Sequence, residues 1–282
     1  MKIPLEHPLL VRQRVKRYFS LFKEAWTEFS NDKAQRLAAA LAYYTLFSIA
    51  PLLLIAIGIA GLIFGRSQAQ EAIIVQLRTL TGNAGTKAIT EMLASAGKPR
   101  TATFAIFIGV ITLLLGAAGV FGQLKDALNT IWKVGEKKGG GILGFIKERF
   151  LSFAMVLGVG FLLLVSLIID AALALLDKAF WQPVQLTISF GVIMVLFAMI
   201  FRFLPDIRIE WRDVWFGAAC TSLLFVIGKF ALGLYLGKSA IGSSYGAAGS
   251  LVVLLVWVYW SANILFFGAE LTQVHARLHR ST

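Results

Sequence analysis

Few charged or polar side chains interrupt the long apolar stretches of this chain, and their chemistry is the most informative part of the sequence. Lys229 is the clearest case, because a charge inside a membrane is costly and marks function by default. Its ammonium could snorkel to the outer headgroups, or it could bind an anionic group or pair with Asp170. Glu270 is a poor partner for Lys229, because the two residues are expected at opposite membrane boundaries.

Oppositely charged residues are expected together at the inner membrane boundary. They include Arg202, Asp206 and Glu270, with Glu210 and Asp213 nearby. An Arg202–Glu270 pair would join the fourth apolar stretch to the sixth. The network could be structural or could act as a gate.

A second polar group is expected slightly deeper, at Tyr43, Tyr44, Ser48 and Asn263. Lipid offers no hydrogen bonds, so each of these groups needs a partner. They could line a water-filled crevice between the first and sixth stretches, or they could form ordinary bonds between helices. Pro51 would remove a backbone hydrogen bond and kink the first stretch.

Catalytic signatures are not evident in the sequence. The three histidines, His7, His275 and His279, lie near the termini, with no acidic residue at metal-ligand spacing between the last two. We find no phosphate-binding loop and no nucleophile elbow. The sequence therefore predicts a protein that is not an enzyme and that uses no metal or cofactor.

Six apolar stretches must position these residues, and each is long enough to cross about 30 Å of hydrocarbon as a helix of about 20 residues. They are Leu37–Phe64, Ala102–Leu124, Phe150–Asp170, Val184–Leu204, Val214–Leu236 and Ala247–Ala269. Composition agrees, since 58% of residues are hydrophobic and only 15% charged. The sequence predicts an all-α integral membrane protein with six transmembrane helices. Glycines spaced by four, such as Gly233 and Gly237, are expected to let helices approach closely.

The segments outside the stretches complete the predicted organisation. Residues 1–36 contain an amphipathic helix that lies in the membrane interface or docks on the inner ends of the bundle. Residues 37–270 form the transmembrane domain. Its outer loop, 65–101, holds two short helices separated by the turn signal TGNAG at 81–85. Residues 271–282 form a tail.

Lysine and arginine are concentrated in the segments that precede the first stretch and follow the second. The positive-inside rule then places both termini in the cytoplasm and the 65–101 loop outside. The net charge of +12 indicates a surface facing anionic lipids rather than nucleic acid.

Several ordered motifs are similar to those of a known family. They read AAALAYYTLFSIAP at 38–51, ALNTIW at 127–132, RFLPD at 202–206, YGAAGS at 245–250 and GAEL at 268–271. Together they resemble the YihY/BrkB family of bacterial inner-membrane proteins, over about residues 15–275.

The resemblance implies six helices with both ends cytoplasmic. Members have carried a ribonuclease label and a virulence label, and envelope lipid export has been proposed for them. The sequence gives the ribonuclease label no support. We therefore expect non-enzymatic handling of an amphiphilic envelope lipid, of the phospholipid or lipopolysaccharide type. The alternative is a membrane scaffold or accessory protein, and homo-oligomers or envelope partner proteins are left open.

Overall fold

The described part of the protein is helical throughout. A computed structural model describes residues 8–96, 119–135, 178–238 and 249–280. Its helices are α1 (Pro8–Asn31), α2 (Ala34–Phe64), α3 (Arg66–Ala96), α4 (119–131), α5 (Lys178–Phe203), α6 (Trp211–Lys238) and α7 (Gly249–Arg280). The predicted stretch Phe150–Asp170 and most of Ala102–Leu124 lie outside the described residues.

Four predicted stretches fall on α2, α5, α6 and α7. Lipid offers no hydrogen bonds, and a helix pairs the backbone N–H and C=O groups of such an apolar stretch internally. Within the described residues, Trp211–Tyr235 and Gly249–His279 are long and apolar enough to cross a membrane, and Thr187–Phe203 is a shorter apolar helix. The all-helical class is therefore confirmed for the described part, and six transmembrane helices stay a prediction. Helix α2 runs through Pro51 without ending.

The first loop differs from the prediction of two short helices. Helix α3 is continuous over 31 residues and passes through the TGNAG signal. It begins directly after Gly65, whose φ of 85° is a left-handed conformation that glycine adopts easily. Ile89 and Leu93 of α3 share an apolar cluster with α2 and α7. This packing compensates for the weak helix propensity of the signal residues.

The amphipathic helix α1 docks on the last helix. Leu21 and Ala25 are buried in one cluster with Leu271 and Val274 of α7. Phe267 of α7 is surrounded by ring contacts from α1, at 5.9 to 6.3 Å between centroids. Docking on the bundle is therefore observed. The interfacial position stays a prediction, which the exposed aromatics of α1 favour.

Helices α6 and α7 pack through two reciprocal glycine–threonine contacts. Gly217 of α6 lies against Thr272 of α7, and Gly268 of α7 lies against Thr221 of α6. A Cβ atom at either glycine would overlap the opposing threonine. Both hydroxyls donate within their own helices, Thr221 to Gly217 O at 2.6 Å and Thr272 to Gly268 O at 2.7 Å. By contrast, a Cβ at Gly233, one of the predicted contact glycines, would meet no atom within 4 Å.

Candidate functional site

Charged and amide side chains from distant parts of the chain meet at one end of the bundle, which we call the charged end. Its members come from α1, the α1–α2 turn, the 119–135 segment, the end of α5 and its turn, the start of α6, and the last turns of α7. They are Glu24, Glu28, Asp32, Lys125, Asn129, Lys133, Arg202, Asp206, Asp213, Glu270, His275 and Arg277.

Asp206 closes the turn after α5 onto α4. Asn129 donates from Nδ2 to Asp206 Oδ2 at 3.1 Å and accepts from the Asp206 backbone N–H at 2.8 Å. Lys125 Nζ lies 3.0 Å from the same carboxylate. The side chains of Lys125 and Asp206 are only partly exposed, so these bonds are shielded from solvent. These contacts hold the turn after α5 against α4.

Arg202 does not pair with Glu270 as the sequence predicted. Its guanidinium donates to the backbone oxygen of Ile209 and lies 5.4 Å from the centre of the Trp211 ring. Both contacts are within the connection between α5 and α6, which is short enough for the side chain to span. The prediction was wrong because this local backbone acceptor and ring provide closer partners for Arg202.

Lys133 is a cation whose charge acts on Glu270. It pairs with Asp32 and lies 3.5 Å from Glu28 Oε2. Partial burial opposes its charge, but the hydrogen bond to Asp32 and the nearby carboxylates outweigh burial and raise the pKa of Lys133. The segment after α4 is thereby tied to the end of α1.

Glu270 is completely buried, with 0% of its surface exposed. Neither carboxyl oxygen of Glu270 has a hydrogen-bond partner among the described residues, and neither does Oδ2 of Asp32. Among the described residues, the charges of Asp32, Lys133 and Glu28 act on Glu270. Buried polar groups without partners are rare, so this carboxyl needs an explanation.

Two further sets of contacts hold the last turns of α7, one to the start of α6 and one to α1. His275 Nδ1 lies 3.0 Å from Asp213 Oδ1, and the His275 ring stacks on Phe216 at 4.0 Å between centroids. Arg277 contacts the carboxylates of Glu24 and Glu28 on α1. The sequence placed His275 near the terminus without metal-ligand spacing and did not predict its pair with Asp213. His275 lies four residues after Leu271 and therefore on the same helix face, where Leu271 is buried. This spacing could have predicted that His275 packs against the bundle.

The residues predicted to line a polar crevice differ in their exposure and in their hydrogen bonds. Tyr43 and Tyr44 are 59% and 43% exposed, whereas Ser48 is buried. Asn263 donates to Tyr259 O of its own helix at 2.8 Å, and Thr45 donates to Leu41 O at 2.7 Å. Hydrogen bonds within each helix therefore satisfy part of this polarity.

The predicted outer site is only half described. Lys229 is half-buried on α6, and Asp170 lies outside the described residues. Their pairing stays a prediction. Within the described ranges there is no group of three or more histidine, cysteine, aspartate or glutamate residues that could hold a metal ion.

Two helices of the described residues are long and apolar enough to span a bilayer, and charged side chains gather at one end, as in helical membrane proteins. The chain belongs to the virulence factor BrkB family, whose model matches residues 25–282. The resemblance read from the sequence motifs is thus confirmed.

Similar curated proteins carry the name UPF0761 membrane protein. One from Stenotrophomonas maltophilia strain K279a is 26% identical over 274 residues, covering 91% of this chain and 61% of the relative. One from Pseudomonas aeruginosa strain LESB58 is 29% identical over 261 residues, covering 86% and 59%. One from Pseudoalteromonas translucida is 28% identical over 258 residues, covering 88% and 84%. The chain thus spans 61% of the first relative's length. No solved structure matches.

Proposed function

We propose that this membrane protein handles an anionic amphiphilic lipid of the bacterial envelope at the charged end, without changing the lipid chemically. The observation that carries the proposal is a rim of exposed aromatic and basic side chains around this end. The charged end would then face the cytoplasmic side of the inner membrane, with both termini cytoplasmic, as the positive-inside rule favours.

The aromatic part of the rim comes from two helices, α1 and α6. Trp26 of α1 is 61% exposed, and Trp211 and Trp215 at the start of α6 are 45% and 40% exposed. Amphipathic rings of this kind favour the level of the lipid headgroups. Their common position beside the charged end sets the depth at which the protein would sit.

The basic part of the rim remains available to a ligand. Lys33, Arg36, Arg208 and Arg212 are exposed and form no ion pair within the part of the chain that the structure describes. Each basic residue near an anionic membrane surface contributes about 1 kcal/mol of attraction. A phosphate-bearing headgroup is therefore the chemistry that this rim would recognise.

Lipid binding by the purified protein tests the proposal. Native mass spectrometry would count bound phosphatidylglycerol against phosphatidylcholine, using the double variant Arg208→Gln, Arg212→Gln. Two lost charges at about 1 kcal/mol each predict roughly 30-fold weaker binding of the anionic lipid. The matched control is Arg66→Gln, Arg78→Gln, which removes two exposed arginines on α3. Equal loss in both variants would refute a specific rim.

A scaffold or accessory role is the second candidate. It is favoured by the hydrogen bonds that the side chains of Thr45 and Asn263 donate to backbone oxygens of their own helices. These bonds require neither water nor a lipid headgroup. Proteoliposomes containing a fluorescent anionic lipid separate the two candidates. Lipid handling predicts faster exchange between leaflets than in protein-free vesicles, and a scaffold predicts lipid binding without exchange.

A further inference from the structure

The buried carboxyl of Glu270 is an observation that the proposed function does not use. Its charge is coupled to that of Asp32 in the turn between α1 and α2, which also has a buried carboxyl oxygen without a partner among the described residues. Three oxygens of this pair, both from Glu270 and Oδ2 from Asp32, have no partner among the described residues. The side chain of Asp32 is 11% exposed, and that of Glu270 is fully buried.

The cations near the pair are already engaged. Lys133 donates to the other oxygen of Asp32 and also faces Glu28. Arg277, on the same helix as Glu270, contacts Glu24 and Glu28 instead. Within the described residues, the charged groups that act on Glu270 are therefore Glu28 and Asp32 from the α1 side and Lys133 from the segment after α4. None of them makes an ion pair with Glu270 within the described chain.

Two facing carboxylates cannot both stay ionised in a buried site, because the charges repel each other and have lost their hydration. One proton removes both problems. It makes one carboxyl an O–H donor, and an unpartnered oxygen of the other carboxyl accepts. Paired aspartates in acid proteases share a proton for the same reason.

We propose that Asp32 and Glu270 form a proton-binding site, in which one proton taken up from water joins the α1–α2 turn to α7. The site is independent of lipid handling, since it depends only on the buried pair. Loss of the proton leaves two anions in contact and weakens this junction. Stability is therefore expected to fall as the pH rises above about 4.3, the ordinary pKa of glutamate in an unfolded chain, until the proton is lost.

Infrared difference spectroscopy of the full-length protein in detergent tests the proposal directly. A protonated carboxyl gives a C=O stretching band that is separate from carboxylate bands and shifts in deuterated water. We expect this band at pH 7 in the wild type and its disappearance on alkaline titration. Glu270→Gln should abolish the band, and Glu210→Gln, which removes an exposed carboxyl near the same end, should leave it unchanged.

A second variant and an added cation make the result decisive. If Glu270→Gln does not fold, Asp32→Asn replaces it. Removal of the neighbouring carboxylate should then change the frequency of the band and lower the pH at which the band disappears. A wild-type band missing at pH 7, or one unchanged in the folded variant, would overturn the proposal. So would removal of the band by sodium chloride but not by choline chloride, which would assign the unpartnered oxygens to a metal cation.

Discussion

The reciprocal contacts between α6 and α7 predict that Gly217→Ala destabilises the protein although alanine is the better helix former. The added Cβ would overlap Thr272 Oγ1 and lie 2.7 Å from its Cβ and 3.1 Å from its Cγ2. Thr272 cannot rotate away freely, because its hydroxyl is bonded to Gly268 O. The two helices must therefore separate or the hydroxyl must lose its partner.

The magnitude follows from comparison with a second glycine of the same helix. Overpacking of this kind costs about 1–3 kcal/mol, against a gain of about 1 kcal/mol in helix propensity. Gly233→Ala receives the gain alone, since a Cβ there meets nothing within 4 Å. The two variants should then differ by about 2 kcal/mol, or roughly 4–8 °C in the unfolding midpoint.

The single cysteine provides the assay. Cys220 is half-buried on α6, close to the contact, so a thiol-reactive fluorogenic dye reports its exposure during heating in detergent. Thr272→Ala in the Gly217→Ala background should recover part of the loss, because it removes the two outermost overlapping atoms. Equal midpoints for Gly217→Ala and Gly233→Ala would refute the close packing of α6 and α7.

Three further outcomes are expected. Asn129→Ala should cost about 1–3 kcal/mol in unfolding free energy, because it leaves Asp206 without two hydrogen bonds; a midpoint within 1 °C of the wild type would contradict this. Lys133→Gln should lower the free energy of unfolding by less than about 1 kcal/mol, because the ion pair is partly exposed. That difference should persist at neutral pH and vanish only above pH 10.5, since the raised pKa keeps Lys133 charged below it. Asn83→Cys in a Cys220→Ala background should react with an impermeant maleimide from outside the cell; labelling only after membrane disruption would reverse the predicted topology.

Much of the helical framework could be predicted from apolar run length. Helix α2 ends at the predicted Phe64, α6 begins three residues before the predicted Val214, and α1 follows from its amphipathic pattern. Helix α3 shows where local signals fail. The turn signal at 81–85 lies beside Thr86 and Ile89, which are buried against other helices, and that burial depends on residues far away in sequence.

The charged end was predicted as a region but not as a set of pairs. Charge type and boundary position identified Arg202, Asp206 and Glu270. The partners depend on how α1 and the segment after α4 dock, which no local pattern contains. Lys133 reaches Asp32 across 101 positions of the chain, a distance over which spacing carries no information.

The docking of α1 on α7 has a consequence for how the chain is made. Leu21 and Ala25 emerge from the ribosome long before Leu271 and Val274, their partners in the same apolar cluster. Arg277, which contacts Glu24, is separated from it by 253 positions. During synthesis the apolar face of α1 therefore has no α7 to pack against until α7 is made. The membrane surface is the nearest place where an amphipathic helix is stable. Helix α1 is synthesised before α7 and would reach its final position only after α7 is complete, so a chain truncated before residue 271 should leave that face uncovered.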